Sequence, residues 1–294
     1  MPWHRRFPVQ IFAPNAWGAI CDLLGGEDRI DDSASSWSDG FICNFGTKEL
    51  EEAASSKGEE NLNDPKKLNN WHVDGDFFVH FLDSKEQGLL VIPLFSDVVE
   101  NGGGTMISPD GIGKLGKWLM EHPQGVYPRM RPVNVEDDGT EFNELAWYSN
   151  TIQECNDFRQ MTGKAGDVVL MHPLMLHSAS RNLVRAHRII TNPPVGLREP
   201  FNYDRENPND YSLVERKTLR ELGKLLKAEG KIASEQEVVD GLKGWKITGE
   251  RRMIVPDRIR IQEEMKRKEE ARLRGESTNV DEDESKNGGA MLMV

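Results

Sequence analysis

The central part of the chain, residues 71–195, alternates short apolar runs with turn-forming residues. The runs cover 77–82, 89–95, 105–108, 168–171 and 189–191, and glycine clusters, Asn-Gly and Pro-Asp-Gly sequences separate them. Many short strands with Gly- and Pro-rich turns are typical of antiparallel sandwiches and barrels. A helical pattern interrupts them near 112–122, where Leu115, Trp118 and Leu119 share one face. We therefore expect a mainly β core with flanking α-helices.

Helical patterns lie on both sides of this core. Residues 15–24 place apolar side chains at helical spacing before a Gly-Gly pair, and the polar segment 48–70 predicts a short helix and a loop. Beyond residue 202 the chain is charged, with a leucine stripe and then Glu/Lys and Glu/Arg pairs at i,i+4 spacing. The predicted division is a β domain with an N-terminal helical buttress (1–201), a helical, charged C-terminal extension (202–275) and a disordered acidic tail (276–294).

Composition narrows the classes of function. The chain has 294 residues, a net charge of −12 and a pI near 5.2, which argues against a nucleic-acid partner. No apolar run reaches the roughly 18 to 20 residues of a membrane helix, and no signal-type segment follows the N-terminus, so we expect no membrane partner. Three scattered cysteines predict neither a disulfide framework nor a Cys-rich zinc site, and fit a reducing, cytoplasmic location. The oligomeric state is left open.

The sequence Trp71-His72-Val73-Asp74 carries the first chemical signal. On a strand, His72 and Asp74 leave the same face and can occupy adjacent positions on one metal ion. A third ligand must come from elsewhere, and His172 and His177 both qualify. Two imidazoles and one carboxylate on one side of an octahedral ion leave the other positions open, which suits Fe(II) that binds a cosubstrate and oxygen. Zinc is more often tetrahedral.

Three arginines follow His177, and one of them lies where it could bind a cosubstrate. Arg181, Arg185 and Arg188 come after His177, and Arg188 directly precedes an apolar run. A strand beginning near Arg188 can run beside the strand that ends at His177. An inward-facing guanidinium there would hold a dicarboxylate through paired hydrogen bonds, and 2-oxoglutarate is the cosubstrate with that chemistry.

These segments resemble the phytanoyl-CoA dioxygenase family of Fe(II)/2-oxoglutarate-dependent oxygenases. The likeness is carried by residues 71–74, by the Asn-Gly-Gly-Gly-Thr turn 101–105, and by Gly166-Asp167 with His177, Asn182 and Arg188. In the family the third ligand comes ten residues after the Gly-Asp pair, and the cosubstrate arginine comes eleven residues after that ligand. The resemblance therefore selects His177 over His172, and Arg188 over the two earlier arginines.

The resemblance implies a double-stranded β-helix, a jelly-roll or cupin-like barrel. It implies Fe(II) held by His72, Asp74 and His177, with O2 and 2-oxoglutarate as cosubstrates. Arg188 would bind the far carboxylate of 2-oxoglutarate, and Thr105 is a candidate hydroxyl contact. The reaction would hydroxylate or otherwise oxidise a C–H bond of a small organic substrate, such as a lipid-like compound or a secondary metabolite, with release of succinate and CO2. An aspartate ligand argues against a halogenase.

Two positions depart from the family pattern. Ala179 stands where members often carry serine, and Val73 stands where some carry glutamine. Both departures leave the three metal ligands and the arginine intact. Two other functions stay open: a non-catalytic, cupin-like binding module, and a metal-dependent isomerase or hydrolase on the same barrel, which would have no use for Arg188.

A Gly-x-Gly-x-x-Gly pattern at 111–116 raises the alternative of a dinucleotide site. Pro109-Asp110 breaks the preceding strand, and no second βαβ unit follows. We therefore expect these glycines to serve turns.

Overall fold

The computed structural model describes residues 6–38, 40–58, 62–134, 146–255 and 257–274. The chain divides into two compact units, Arg5–Ile254 and a smaller one made of Met1–His4 with Val255–Val294. The larger unit contains every described strand and all described helices except the last. The described part of the smaller unit consists mainly of one charged helix.

The strands of the larger unit are short and pair only in antiparallel fashion. They are β1 (Arg6–Pro8), β2 (Ser36–Ser38), β3 (Ile42–Asn44), β4 (Leu89–Pro93), β5 (Thr105–Ser108), β6 (Arg159–Gln160), β7 (Val168–Met171), β8 (Leu176–Ala179), β9 (Arg188–Ile190) and β10 (Pro194–Val195).

Two three-stranded sheets form the centre of this unit. Their strand orders are β10-β4-β7 and β6-β5-β8, while β3 pairs with β9 and β1 with β2. A single bridge between Leu94 and Ile190 places β9 alongside the end of β4. The β4 sequence Leu-Leu-Val-Ile-Pro is buried at every position, as expected for a middle strand that is covered on both faces.

The helices surround these sheets. They are α1 (Val9–Phe12), α2 (Pro14–Leu24), α3 (Lys48–Lys57), α4 (Gly111–Glu121), α5 (Ala146–Gln153), α6 (Leu213–Ala228), α7 (Glu235–Leu242) and, in the smaller unit, α8 (Asp257–Leu273). Local chemistry fixes their ends. Gly25 ends α2 in the left-handed region, with φ 88°, and its N–H donates to the Cys21 carbonyl. Ser212 and Glu215 form a capping box at the start of α6.

The glycines of 111–116 lie in α4, and none of the three has a positive φ. They serve close packing and not turns, so our expectation for them was wrong. A Cβ at Gly113 would lie 2.6 Å from the Glu221 carbonyl oxygen of α6, and one at Gly116 would lie 3.3 Å from Leu222. The absent side chains let the backbones of α4 and α6 approach, which requires glycine wherever a Cβ would strike a fixed backbone atom.

The expected antiparallel strands with flanking helices are present, but the described residues hold more helix than strand. The prediction of a mainly β chain overstated the strand content, because part of the apolar pattern in 71–195 folds as loop. The run 77–82 forms no strand. Phe78 and His80 make only single bridges, to Met253 and Val126. The two partners belong to different segments of the chain, so the run has no continuous ladder with either of them.

The boundary predicted between residues 201 and 202 lies inside the larger unit. The apolar stripe of α6 packs against α4 and α2, with Leu222 fully buried, so the start of the predicted extension belongs to the same compact unit as the sheets. The predicted tail, 276–294, lies outside the described residues. Among the described helices, none combines the length and the apolar character needed to cross a bilayer.

We predict opposite stability effects for two helical glycines. Gly113→Ala should lower the free energy of unfolding by about 1–3 kcal/mol, because its Cβ would press on the Glu221 carbonyl. Gly18→Ala, on the exposed face of α2 with no atom within 4 Å of its added Cβ, should raise it by about 0.5–1 kcal/mol. Urea unfolding of both variants measures the difference, and equal effects would contradict the close packing of α4 on α6.

Candidate metal centre

The two histidines of the site are brought together by backbone pairing. His72 and His177 form an antiparallel bridge in which each N–H donates to the other's carbonyl, at 2.9 and 3.0 Å. Residues directly opposite in such a pair project from the same side. The two imidazole rings therefore lie side by side, with ring centroids 4.3 Å apart. Asp74 follows two residues after His72 and reaches the same side, as the sequence predicted.

The three side chains converge closely enough to hold a metal ion. Asp74 Oδ1 lies 3.4 Å from His72 Nε2 and 3.6 Å from His177 Nε2. One ligand atom from each of the three residues lies within 4.8 Å of the others. Donors at about 2.1 Å from one ion and at right angles are about 3 Å apart, so Asp74 Oδ1 needs to approach each imidazole by only roughly half an ångström to share an ion with it. Within the described ranges this is the one cluster of three such groups.

Polar contacts outside the triad orient its ligands. His72 Nδ1 donates to the Asn70 carbonyl at 2.8 Å, and His177 Nδ1 donates to the Met175 carbonyl at 3.0 Å. A carbonyl only accepts, so both Nδ1 atoms carry a proton and both Nε2 atoms face the centre, where a metal ion would take the place of any proton they share with Asp74. Asn192 Nδ2 donates to Asp74 Oδ2 at 3.0 Å, which leaves Oδ1 for the metal.

The electrostatics of the centre favour an ionised carboxylate. Burial acts to raise the pKa of Asp74, but hydrogen bonds from His177 and His72 and their charges outweigh it, so this pKa lies well below its ordinary value. For His72, burial acts to lower the pKa, and the hydrogen bond and charge of Asp74 raise it above the ordinary value overall. The anionic carboxylate is thus available as a hard oxygen ligand throughout the neutral range.

Arg188 lies in the interior, at the start of β9 and opposite Asn44 of β3. Its side chain is buried, and among the described residues its Nε has no hydrogen-bond partner and its guanidinium no carboxylate within ion-pair distance. Burial lowers its pKa. A buried cation without an anion is costly, so this position requires an explanation in terms of function or ligand binding.

A narrow cavity adjoins Arg188 between the two sheets. Apart from Arg188, the residues that line this cavity are mainly aliphatic, and Thr105 is also among them. Thr105 stands opposite Ala179, and Ile107 stands opposite His177, in the β5–β8 register. Because alternate residues of a strand share a face, Thr105 projects from the same side of this sheet as the metal ligand His177. The structure thus places Thr105 and Arg188 on opposite walls of one cavity.

The serines beside Ala179 do not replace the hydroxyl that this position lacks. Ser178 and Ser180 flank Ala179 and project from the opposite face of the sheet. Ser180 Oγ donates to the Gly104 carbonyl at 2.7 Å and accepts from Gln160 Nε2 at 2.8 Å. Thr105, directly opposite Ala179, is therefore the hydroxyl on the cavity side of this strand pair.

The second candidate histidine serves structure. His172 Nδ1 accepts from the Leu174 N–H at 3.1 Å, and its Nε2 contacts Thr218 Oγ1 at 3.0 Å. These bonds fix the turn between β7 and β8 to α6, away from the triad. Of the two histidines that the residues alone left open, the structure brings only His177 to His72 and Asp74.

Two further residues shape the site and were missed by the sequence interpretation. Asn192, after β9, fixes the Asp74 carboxylate. Tyr148 of α5 donates to the Pro128 carbonyl at 2.8 Å, and the Val73 N–H, between the two early ligands, acts to lower the pKa of this phenol. Burial raises the pKa of Tyr148, which keeps the phenol neutral. Neither residue has a local signal, because each acts across a long stretch of chain.

Comparison with models of known protein families and with curated proteins gives no match. The geometry of the chain itself therefore indicates what it can bind. That geometry consists of a two-histidine, one-aspartate cluster able to hold a metal ion, and a buried arginine in a cavity on the same side of the β5–β8 pair.

We predict that removing the Asn192 amide weakens metal binding. Asn192→Ala frees the second oxygen of Asp74 from its hydrogen bond, and loss of such an outer contact lowers metal affinity by roughly 10- to 100-fold. Titration with Co2+, followed by its visible absorption, measures the affinity. Asn156→Ala, at an exposed asparagine, is the matched control and should bind Co2+ as the unmodified chain does. Equal affinities for the two variants would show that Asn192 does not support the ligand.

We also predict a pH-dependent contribution to stability from His80. This side chain is 4% exposed, and burial lowers its pKa to about 4, with the Nε2 contact to the Gly75 carbonyl acting the other way. The unfolded chain takes up the proton first, near pH 6.5, so stability is complete above that value and is lost as the pH falls towards 4. Between pH 7 and pH 5 the loss should be about 1–2 kcal/mol.

This contribution is isolated by comparing how the free energy of unfolding changes with pH in the unmodified chain and in a variant that lacks the imidazole. His80→Gln keeps a donor for the Gly75 carbonyl and removes the titrating ring. Urea unfolding at pH 7 and at pH 5 should show a smaller pH-dependent change in the variant by that amount. The same change in both proteins would mean that His80 is not neutral and buried in solution.

Proposed function

We propose that the chain is an Fe(II)- and 2-oxoglutarate-dependent dioxygenase that hydroxylates, or otherwise oxidises, a C–H bond of a small organic substrate. The observation that carries this proposal is Arg188. Its buried guanidinium lacks an anionic partner among the described residues and lines a cavity that opens on the same side of the β5–β8 pair as the ligand His177. The arrangement supplies a metal centre and an anion receptor together.

The residues of the centre fit Fe(II). Two neutral imidazoles and one carboxylate provide three donors on one side of an octahedral ion, and the opposite positions stay open for other ligands. A zinc site of the structural kind would need a fourth protein ligand, and the described residues offer none within the cluster. The Nδ1 contacts to backbone carbonyls hold both imidazoles in the tautomer that a metal requires.

The lining of the cavity matches the chemistry of 2-oxoglutarate, and its free space of about 10 Å³ must widen to admit that molecule. A carboxylate paired with Arg188 offsets the cost of burying that cation, and the planar guanidinium favours a paired, two-bond contact. The hydroxyl of Thr105 adds a second polar group on the facing wall. The remaining lining is mainly aliphatic, which suits the methylene groups between the two ends of a dicarboxylate.

Bound Fe(II), with 2-oxoglutarate and O2, supplies the oxidising power, converting 2-oxoglutarate to succinate and CO2 while one oxygen atom enters the substrate. The chain's own residues bind and orient. His72, Asp74 and His177 hold the metal, while Asn192 and two backbone carbonyls keep these ligands aligned. Arg188 would bind the far carboxylate of 2-oxoglutarate in a cavity whose lining is mainly aliphatic.

The proposal extends to the fold. Two antiparallel sheets, β10-β4-β7 and β6-β5-β8, each contribute one wall of the cavity, and the Leu94–Ile190 bridge adds β9 and β3 to the first sheet. The His72–His177 bridge lengthens the second sheet at its metal-bearing edge. This arrangement supports a double-stranded β-helix, the fold that the family resemblance implies.

The two other functions considered from the sequence have no comparable support. An isomerase or hydrolase would use the metal ligands and leave Arg188 without a role. A non-catalytic module would need neither the aligned Nε2 atoms nor the oriented carboxylate. An isomerase or hydrolase predicts that loss of Arg188 leaves its metal-dependent activity nearly unchanged, whereas a non-catalytic module predicts no iron-dependent release of succinate from 2-oxoglutarate.

We predict that Arg188→Ala separates cosubstrate binding from metal binding. Loss of the guanidinium should weaken 2-oxoglutarate binding by roughly 2–4 kcal/mol, the scale for removing one partner of a buried charge pair. Co2+ affinity should stay unchanged, because Arg188 is not among the metal ligands. Calorimetry of 2-oxoglutarate on the Co2+-loaded protein measures the first quantity. Arg181→Ala, at an exposed arginine of the same segment, is the control, and normal cosubstrate binding by Arg188→Ala would refute the assignment.

Turnover tests the activity itself. The purified chain with Fe2+, ascorbate, O2 and 2-oxoglutarate should release succinate, and a panel of small organic compounds should raise that rate for the class it oxidises. Asp74→Ala should lose Fe2+ affinity and succinate release together, because Asp74 is the one anionic ligand in the cluster. Absence of both 2-oxoglutarate binding and succinate release from the unmodified chain would overturn the proposed function.

A further inference from the structure

Two arginines converge on the ring of Tyr127. The guanidinium carbon of Arg131 lies 5.4 Å from the ring centroid, and that of Arg252 lies 5.5 Å from it. Arg252 Nη2 also donates to the Tyr127 hydroxyl oxygen at 2.6 Å. Both arginines remain partly or fully exposed. The result is a cluster of two cations and one phenol at the surface of the larger unit.

Backbone bonds fix both sides of this cluster. The Tyr127 N–H donates to the Arg131 carbonyl at 2.8 Å, which closes a tight turn through Met130, whose φ is 65°. The Arg252 carbonyl accepts from the Val79 N–H at 3.0 Å. Two segments that are remote in sequence are thus held together before any ligand binds, and such preorganisation favours binding.

Neither arginine has a carboxylate partner among the described residues. The neighbouring Arg251 shows the contrast, since its guanidinium lies 2.6 Å from Asp83 Oδ1 and 3.9 Å from Glu86 Oε2. In a chain of net charge −12, two cations near one ring that have no carboxylate partner within the described ranges are unusual. The positive potentials of two guanidiniums near one ring add, so an anion bound beside them is stabilised by both.

The phenol completes the set of donors. Because Arg252 donates to the Tyr127 oxygen, the hydroxyl hydrogen of Tyr127 is left to point elsewhere. Two planar guanidiniums and one hydroxyl are donors that match the oxygen atoms of a carboxylate or a phosphate.

One residue connects the turn of the cluster with the metal-binding segment. Tyr127 is adjacent to Pro128, whose carbonyl accepts from Tyr148, and the Val73 N–H between His72 and Asp74 acts on the pKa of the same phenol. The turn that carries Tyr127 and Arg131 thus packs through Tyr148 against the segment that carries two of the metal ligands.

We propose that Tyr127, Arg131 and Arg252 form an anion-binding subsite for a carboxylate- or phosphate-bearing small molecule. That this molecule is the substrate rests on the proposed function, whereas anion binding as such does not. The subsite differs from the cavity of Arg188, because it is exposed and lies on segments that do not line that cavity.

The test uses the full, metal-free chain and two probes with the same alkyl chain, hexanoate and hexyl phosphate. NMR or calorimetric titration at low salt should show binding of at least one probe, and the tighter one identifies the anion class. Arg131→Gln and Arg252→Gln should each weaken that binding about tenfold, and the double variant should abolish it. Arg220→Gln, the same charge change at an exposed arginine of α6, should bind as the unmodified chain does.

The outcomes separate this inference from the proposed function. Loss of probe binding in the two variants, with unchanged binding in the control, supports the subsite even if the chain releases no succinate. Failure of the unmodified chain to bind either probe, or equal binding by all variants, overturns the subsite even if the chain proves to be an oxygenase. Tyr127→Phe provides a further measurement, since it keeps the ring and should weaken binding only through the lost hydroxyl.

Discussion

The backbone pair between His72 and His177 is the constraint on which the site depends. Two hydrogen bonds between residues more than a hundred positions apart put both imidazoles on one side of one sheet edge. A shift of one residue in this register would turn one ring to the opposite face and separate the ligands. The local spacing of His72 and Asp74 matters only because this long-range pair holds. Metal binding and formation of the sheet are therefore coupled in this chain.

The second constraint is electrostatic. The chain is acidic overall, yet Arg188 is buried without an anion among the described residues, while the buried carboxylate Asp74 sits against two imidazoles. Each is unfavourable for stability when alone. Together they form a site in which a bound cation would compensate the charge of Asp74 and a bound anion would compensate the charge of Arg188. The fold thus holds two opposite charges ready for two ligands, and the hydrophobic packing of β4, α4 and α6 supplies the stability that allows it.

Sequence reasoning reached the parts of the structure that local spacing determines. The period of two identified His72 with Asp74, helical periodicity identified α2, α4 and α6, and Gly25 marked a helix end. It failed where the outcome depends on what packs against a segment. The run 77–82 has the composition of a strand but forms only single bridges to two different segments. The glycines of 111–116 were interpreted as turn residues, although they serve helix packing. Choosing His177 over His172 required family spacing, because both are histidines at the ends of neighbouring strands.

The residues that sequence reasoning missed share one property: each acts through a contact that only the folded chain creates. Asn192 reaches Asp74 across more than a hundred residues, and Tyr148 links the metal loop to the turn that carries Tyr127. Such residues have no required spacing, so no pattern along the chain identifies them. Asn192 nevertheless fixes the orientation of the Asp74 carboxylate, and Tyr148 fixes the turn at Pro128 beside the metal-binding segment. The ligands of this site can be read from the sequence, whereas their alignment is a property of the tertiary structure.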